Sequence, residues 1–229
     1  MAADSKVVIV SATRKSAADF QSKTALGVSL ARLAHDARLQ VLVAMSNARG
    51  LPQVYNDIMD QCDNDSIIVF MHDDVWIEDY YMLQRVVDGL QHFDVIGLVG
   101  NRRRVQDQAA WCFLNADLQW DDYGHLSGAI GHGANPGGEV HYYGEAGVAC
   151  ELLDGVFLAA RKSTLVDNAV SFDPRFDFHF YDLDFCRTAR LRGLTLGTWR
   201  ICVTHQGAGI FGTPDWRRSY AAYLEKWGE

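Results

Sequence analysis

The first hundred residues alternate short, predominantly apolar runs with segments of helical period, and no other feature restricts the possible folds as strongly. The apolar runs lie at 6–11, 40–45, 66–71 and 94–100. Each is too short for a typical helix and lacks the polar alternation of a half-exposed strand. The segment 51–62 repeats apolar residues at helical spacing behind a proline in its first turn. Such continuous apolar runs are typical of buried parallel strands. Their alternation with helical segments predicts an α/β fold with a doubly wound, mostly parallel sheet flanked by helices.

The pattern changes after residue 100. The segment 120–147 is rich in glycine, and we expect it to be a long loop that serves as a mobile lid or acceptor loop. Regular structure is predicted to return as a strand, a helix and a last strand, at 151–160, 182–192 and 194–203. Aromatic residues at helical spacing after residue 213 predict a C-terminal helical tail.

Composition excludes several classes of protein. The net charge is -8, and the tight basic run Arg102–Arg104 fits either a solvated loop or a phosphate contact, so we predict no nucleic-acid partner. Five cysteines without a C-x-x-C pair indicate free thiols in a reducing compartment. The first residues lack the signal-peptide pattern, and no stretch is long and apolar enough for a transmembrane segment. These features predict a cytoplasmic protein, for which peripheral membrane association stays open.

The strongest chemical signal is His72-Asp73-Asp74, directly after the apolar run 66–71. Ligands of open parallel sheets bind beyond the carboxyl ends of the strands. Two adjacent carboxylates repel each other, and a divalent cation such as Mn²⁺ or Mg²⁺ would stabilise both in their ionised form. The alternative is that one of them caps the helix predicted to begin near Glu78.

A second signal interleaves aspartates with aromatic residues over 172–185. An aromatic wall raises the pKa of a carboxyl group, which a general base working near neutral pH requires. Asp182 is the candidate base, although capping of the next helix is an alternative for it. Asp184 fits a catalytic residue or a residue of the first helical turn equally well.

A third signal is His205, just after the last predicted strand. Its imidazole would complete a metal site or touch a phosphate, although a lone histidine is more often structural. The chain contains no phosphate loop of the G-x-x-x-x-G-K-[ST] type. The first strand ends in Ser11-Ala12-Thr13-Arg14 where a dinucleotide-binding chain would carry glycines.

Three signals follow one another in a familiar order. They are an aspartate pair after the third strand, Asp154-Gly155 within a later strand, and a carboxylate pair at the start of a late helix. This order resembles the GT-A fold of family 2 glycosyltransferases, and most closely a small subgroup with His-Asp-Asp in place of Asp-x-Asp. The resemblance implies one glycosyltransferase domain over 1–212, with a nucleotide-sugar half at about 1–100, an acceptor half at about 101–212, and a helical tail at 213–229.

The resemblance also implies roles for individual residues. Asp182 would be the general base, and Asp74 and His205 would bind Mn²⁺ or Mg²⁺. The substrate would contact Asp154, Gly155 and Asp184. The nucleotide part of the donor, with uridine diphosphate as the first expectation, would contact Thr13, Arg14, Asn47, Asn56 and Asp73.

The chain departs from the family pattern at a few positions. His72 stands where many relatives have the first aspartate of Asp-x-Asp, and Tyr181 replaces the glutamate beside the base. The Gln-x-x-Arg-Trp element of processive polysaccharide synthases is absent, which favours a single transfer to a glycan or other hydroxyl acceptor, with inversion. Two other functions stay open: a non-catalytic nucleotide- or carbohydrate-binding module, and a sugar nucleotidyltransferase.

Overall fold

The computed structural model describes residues 5–207 and 209–228. The α-helices are α1 (Ala17–Lys23), α2 (Ala25–Ser29), α3 (Leu51–Gln61), α4 (Met82–Gly89), α5 (Lys162–Asp167), α6 (Tyr181–Leu191) and α7 (Pro214–Trp227). The strands are β1 (Val7–Ala12), β2 (Leu39–Ala44), β3 (Ile67–Met71), β4 (Val75–Ile77), β5 (Val95–Gly97), β6 (Val99–Asn101), β7 (Leu126–His132), β8 (Glu139–Gly144), β9 (Ala149–Cys150), β10 (Leu152–Leu153), β11 (Phe157–Arg161), β12 (Leu196–Thr198) and β13 (Val203–His205).

The larger sheet has the strand order β2-β1-β3-β11-β5-β12-β9. Five of these strands run in one direction, and β11 and β9 run in the other. The centre of the sheet is fully apolar because β3, with the sequence IIVFM, is buried along its whole length. Such burial on both faces requires helices on either side. The α/β class with a mostly parallel sheet flanked by helices, predicted from the apolar runs, is confirmed.

A second sheet, which the sequence pattern did not reveal, has the order β10-β6-β7-β13-β4, with β8 paired to β7. The segment 120–147, predicted to be a loop, contains the hairpin of β7 and β8. Its glycines permit close backbone contact. A Cβ on Gly128 would lie 1.9 Å from the Leu98 carbonyl oxygen, and one on Gly131 would lie 2.7 Å from the Thr204 hydroxyl. Glycine within a strand often marks such an approach, so the loop prediction was wrong.

Each of the three later predicted strands is divided between the two sheets. The segment 94–100 becomes β5 and β6, 151–160 becomes β10 and β11, and 194–203 becomes β12 with the approach to β13. The chain also passes from β3 in one sheet to β4 in the other through His72, Asp73 and Asp74. Helix α4 therefore begins at Met82, after β4, and not near Glu78.

The C-terminal segment forms the helix α7, whose aromatic side chains pack against the rest of the domain. Trp216 and Tyr223 of α7 are buried, and Phe180 packs against both rings. Helix α7 thereby covers the entry to α6. No helix in the described ranges combines the length and apolarity that crossing a bilayer requires.

Candidate functional site

The candidate site lies where the chain crosses between the two sheets. Two cavities meet there, of about 1160 Å³ and about 530 Å³. Both are lined by His72 and Asp74, which join β3 to β4, and by Phe178 and His179 before α6. A group bound at this shared wall is accessible from both cavities.

Two side chains of the shared wall and His205, which lines the smaller cavity, form a cluster that fits a metal ion. The ligand atoms of His72, Asp74 and His205 all lie within 4.8 Å of one another. His205 Nε2 is 3.3 Å from Asp74 Oδ2, and His72 Nδ1 is 4.0 Å from Asp74 Oδ1. A Cβ on Gly207 would lie 2.9 Å from His205 Nε2 and 3.0 Å from Asp74 Oδ2, so glycine keeps this side of the cluster open.

His205 reaches Asp74 through the second sheet, which the sequence pattern did not reveal. The sequence analysis placed His205 just after the last predicted strand. The structure instead ends β13 at His205 and pairs it antiparallel with β4, so that His205 stands opposite Val75. The Gln206 amide also donates to the Asp74 carbonyl, at 3.0 Å. The expected proximity of His205 and Asp74 is present, and strand pairing in the second sheet produces it.

His72 and Tyr181, the two residues that differ from the family pattern, are in contact with each other. His72 Nε2 is 2.8 Å from the Tyr181 hydroxyl, which lies 2.8 Å from the Gly155 carbonyl oxygen. A carbonyl can only accept, so the single hydroxyl proton goes to Gly155, and the hydroxyl accepts from His72 Nε2–H. This arrangement leaves the Nδ1 lone pair of His72 facing Asp74. Hydrogen bonds of this kind orient metal-binding histidines.

Electrostatics within the cluster also fit a cation. Asp74 Oδ1 is buried and has no hydrogen-bond partner, and such an oxygen calls for a ligand. Burial raises the pKa of Asp74, but the hydrogen bond and charge of His205, with the charge of His72, outweigh it and the net pKa is lowered. Burial lowers the pKa of His72 below its usual value. The cluster thus offers an ionised carboxylate and the neutral imidazole of His72. Burial lowers the pKa of His205, but the hydrogen bond and charge of Asp74 outweigh it and the net pKa is raised, so a metal ion bound there would displace a proton.

Asp182 lies in the smaller cavity at the start of α6. The amides of Gly155 and Leu183 each donate to its carboxylate at 2.9 Å. Burial and the nearby charge of Asp154 raise the pKa of Asp182 to about 7, against the lowering effect of those amides. A carboxylate with a pKa near neutrality is suited to accept a proton in general-base catalysis.

Asp154 and Gly155 support Asp182 from the crossing between β10 and β11. The Trp111 indole N–H donates to Asp154 at 2.5 Å, and the Val156 amide donates to it at 2.8 Å. A Cβ on Gly155 would lie 2.4 Å from the Tyr181 hydroxyl and 2.8 Å from Asp182 Cβ, so only glycine allows α6 this close. Asp154 and Gly155, two of the three predicted substrate residues, line the smaller cavity with Asp182.

The larger cavity collects the predicted nucleotide residues at the carboxyl ends of β1, β2 and β3. Thr13, Arg14, Asn47 and Asp73 all line it. Sequence reasoning missed the cationic side chains on its other walls and the residues that α7 contributes. These additional lining residues include Lys15, Arg49, Arg175, Asp215, Arg218 and Ser219.

Two predicted site residues have structural roles. Asn56 exchanges two hydrogen bonds with the backbone of Phe172, at 2.8 and 3.0 Å, and lines neither cavity. It fastens α3 to the segment before α6. Asp184 is fully buried; Lys226 pairs with it at 2.6 Å, and the Trp227 indole donates to it at 3.0 Å. Neither residue lines the two cavities, and their assignment to donor and substrate stays a prediction.

We expect Tyr181→Phe to lower the affinity for Mn²⁺ by about 10–100-fold, the usual effect of losing a partner that orients a ligand. The phenyl ring keeps the packing of Tyr181 against Phe172 but cannot accept from His72. Isothermal titration with MnCl₂ measures the change, and the melting temperature reports whether the fold is kept. An unchanged affinity in a folded variant would show that Tyr181 does not orient His72.

Comparisons with known proteins identify the family of the chain. The model of a family described as "Glycosyltransferase like family" matches residues 26–208. Among solved structures, the crystal structure of S. aureus TarS 1–349 in complex with UDP is similar, with 13% sequence identity and a TM-score of 0.45. That match covers 88% of this chain and 60% of that chain. The search of curated proteins found no match.

Proposed function

Because the chain belongs to the glycosyltransferase-like family, we propose that it transfers one hexosyl group from a nucleoside-diphosphate-sugar to an acceptor hydroxyl, with inversion and without processivity. The observation that carries the proposal is the position of the His72, Asp74 and His205 cluster. It lies at the wall shared by a cavity rich in cationic side chains and a cavity that holds Asp182. A donor diphosphate at that wall would present its sugar to the base.

The larger cavity is assigned to the nucleoside diphosphate. Its lining includes Arg14, Arg49, Arg175 and Arg218, the last three of which pair with aspartates, and arginine is well suited to phosphate oxygens. Its volume of about 1160 Å³ exceeds the usual range of a small-molecule site. Uridine diphosphate is the first nucleotide to test.

The metal cluster is assigned to Mn²⁺ in preference to Mg²⁺. Mg²⁺ prefers oxygen ligands, whereas two of the three ligands here are imidazole nitrogens. When bound, the cation supplies positive charge that stabilises the diphosphate leaving group. His72, Asp74 and His205 hold it at the junction of the cavities.

The acceptor is deprotonated by Asp182. Its carboxylate takes the proton of the acceptor hydroxyl as that oxygen attacks the anomeric carbon and the bond to the diphosphate breaks. The Gly155 and Leu183 amides hold the carboxylate in place. A single displacement inverts the anomeric carbon, and no residue of the chain needs to bond to the sugar.

The decisive test measures donor hydrolysis and UDP binding with and without MnCl₂. UDP at 100 times its dissociation constant should add about 2.7 kcal/mol to the free energy of unfolding, and this gain should require Mn²⁺. Manganese-dependent hydrolysis of UDP-hexoses would exclude a non-catalytic binding module. Release of pyrophosphate from a nucleoside triphosphate and a sugar phosphate would instead establish a nucleotidyltransferase and overturn the proposal.

A further inference from the structure

Three aromatic rings form a patch at the smaller cavity. Trp120 and Tyr123 are 6.3 Å apart between ring centroids, and each lies 6.1 Å from Tyr143. The three planes are within 22° of parallel. In a stacked column, the two outer rings would be about twice as far apart as neighbouring rings. The three centroid distances are nearly equal here, so the rings form a patch and not a stack. Trp120 and Tyr123 are 46% and 57% exposed.

The patch is continuous with the groups around the proposed base. Tyr143 meets Trp111 edge-on, with ring centroids 5.0 Å apart. The Trp111 indole donates to Asp154, whose charge raises the pKa of Asp182. Trp120, Tyr143 and Asp182 line the same cavity. The aromatic surface therefore begins beside the reacting centre and extends to the exposed faces of Trp120 and Tyr123.

We propose that this patch is an acceptor subsite for an oligosaccharide, with the accepting sugar in the cavity and the next sugar ring stacked on Trp120 and Tyr123. The inference rests on the proposed glycosyl transfer and narrows its acceptor from any hydroxyl compound to a saccharide chain. A pyranose presents a flat C–H face that packs on aromatic rings, while its hydroxyl groups remain at the edge and need polar partners.

The hairpin of β7 and β8 provides such partners in the same cavity. His132 and His141 both line it, with ring centroids 4.9 Å apart. Each imidazole ring carries two nitrogens that can form hydrogen bonds with sugar hydroxyl groups. A lipid tail would need an apolar groove shielded from water, whereas Trp120 and Tyr123 are open to solvent and lie beside polar groups.

The test compares tetrasaccharides with their own monosaccharides by saturation-transfer NMR and titration calorimetry, in the presence and absence of UDP and MnCl₂. The probes are cellotetraose, maltotetraose and chitotetraose. At least one should bind about 10-fold more tightly than its monosaccharide. Trp120→Ala should lower the affinity for that tetrasaccharide by about 3–10-fold, as expected for the loss of an aromatic stacking contact. Tyr123→Ala should act in the same direction and is available should the Trp120 variant not fold.

Tyr142→Ala is the matched control, because Tyr142 lies on β8, is 66% exposed and lines neither cavity. It should leave tetrasaccharide binding unchanged. The inference is overturned when no tetrasaccharide outbinds its monosaccharide, or when the Trp120 and Tyr123 variants keep the full difference. A larger gain for octyl glucoside over glucose would assign the patch to a lipid and overturn it as well. Donor hydrolysis is measured separately, so failure of the subsite is distinguishable from failure of the transferase proposal.

Discussion

Asp182→Asn is expected to lower kcat by about 10²–10⁴-fold while UDP binding persists, because the amide cannot take the proton of the acceptor hydroxyl. The cavity and the donor-side residues are unaffected by this change of one atom. Steady-state transfer kinetics and UDP titrations in the same buffer measure both properties. Full activity in the variant would remove Asp182 from the mechanism.

The pH profile provides a second measurement on Asp182. The base must be ionised, so kcat/KM of the unaltered protein should rise as the pH increases through about 7. Stability should follow the opposite course. The pKa is raised from 3.8 to about 7 in the folded state, so the stabilisation by the neutral carboxyl is complete below 3.8 and is lost as the pH rises through 7. As the pH rises through 7, the free energy of unfolding of the unaltered protein should fall by about 2 kcal/mol more than that of Asp182→Asn, after allowance for partial exposure.

Asp184→Asn is the control, since Asp184 lies on the same helix and has a structural environment. Its carboxylate pairs with Lys226, which also contacts Asp173 at 2.8 Å. We expect this variant to lose about 1–3 kcal/mol of stability and to keep the kcat and pH profile of the parent. A pH profile altered in both variants would indicate a general effect of α6 and not a base at Asp182.

Asp74→Ala is expected to abolish the Mn²⁺-dependent part of UDP binding. The variant removes the carboxylate that lies between His72 and His205 and leaves two imidazoles without a charged partner. Metal affinity should fall by at least about 100-fold, because the loss of a ligand is more severe than the 10–100-fold effect of losing an orienting partner. Calorimetry with MnCl₂ and thermal unfolding with UDP, each with and without the metal, measure the change.

The matched control for Asp74→Ala is Asp65→Ala at the opposite end of β3. Asp65 is exposed in the turn that precedes this strand and lines neither cavity. It should leave the response to Mn²⁺ unchanged. Gly207→Ala offers an independent route, because its methyl group would stand about 3 Å from His205 and Asp74 and obstruct the ion. A full Mn²⁺ response in both the Asp74 and Gly207 variants would show that the cation binds elsewhere.

The sequence determined the elements of the nucleotide half and the chemistry at their ends. The strands β1, β2 and β3 and the helices α3 and α6 lie within about two residues of their predicted bounds. Hydrophobic period reports the burial of each residue along a single element, and burial is a local property of the pattern. The same pattern put Asp74 directly after the carboxyl end of a predicted buried strand, and β3 does end just before His72.

Only the tertiary structure decided which elements meet. Apolar residues are equally buried in either sheet, so the pattern could not show that three predicted strands divide between two sheets. The pairing of β13 with β4 brings His205 to Asp74, and the contact of Tyr181 with His72 spans 109 positions of the chain. The contacts of Asn56 and Asp184 could not be predicted, because an amide or carboxylate has the same chemistry in a pocket and in a buried contact. Their partners, Phe172 and Lys226, lie far away in sequence, and only folding brings them together.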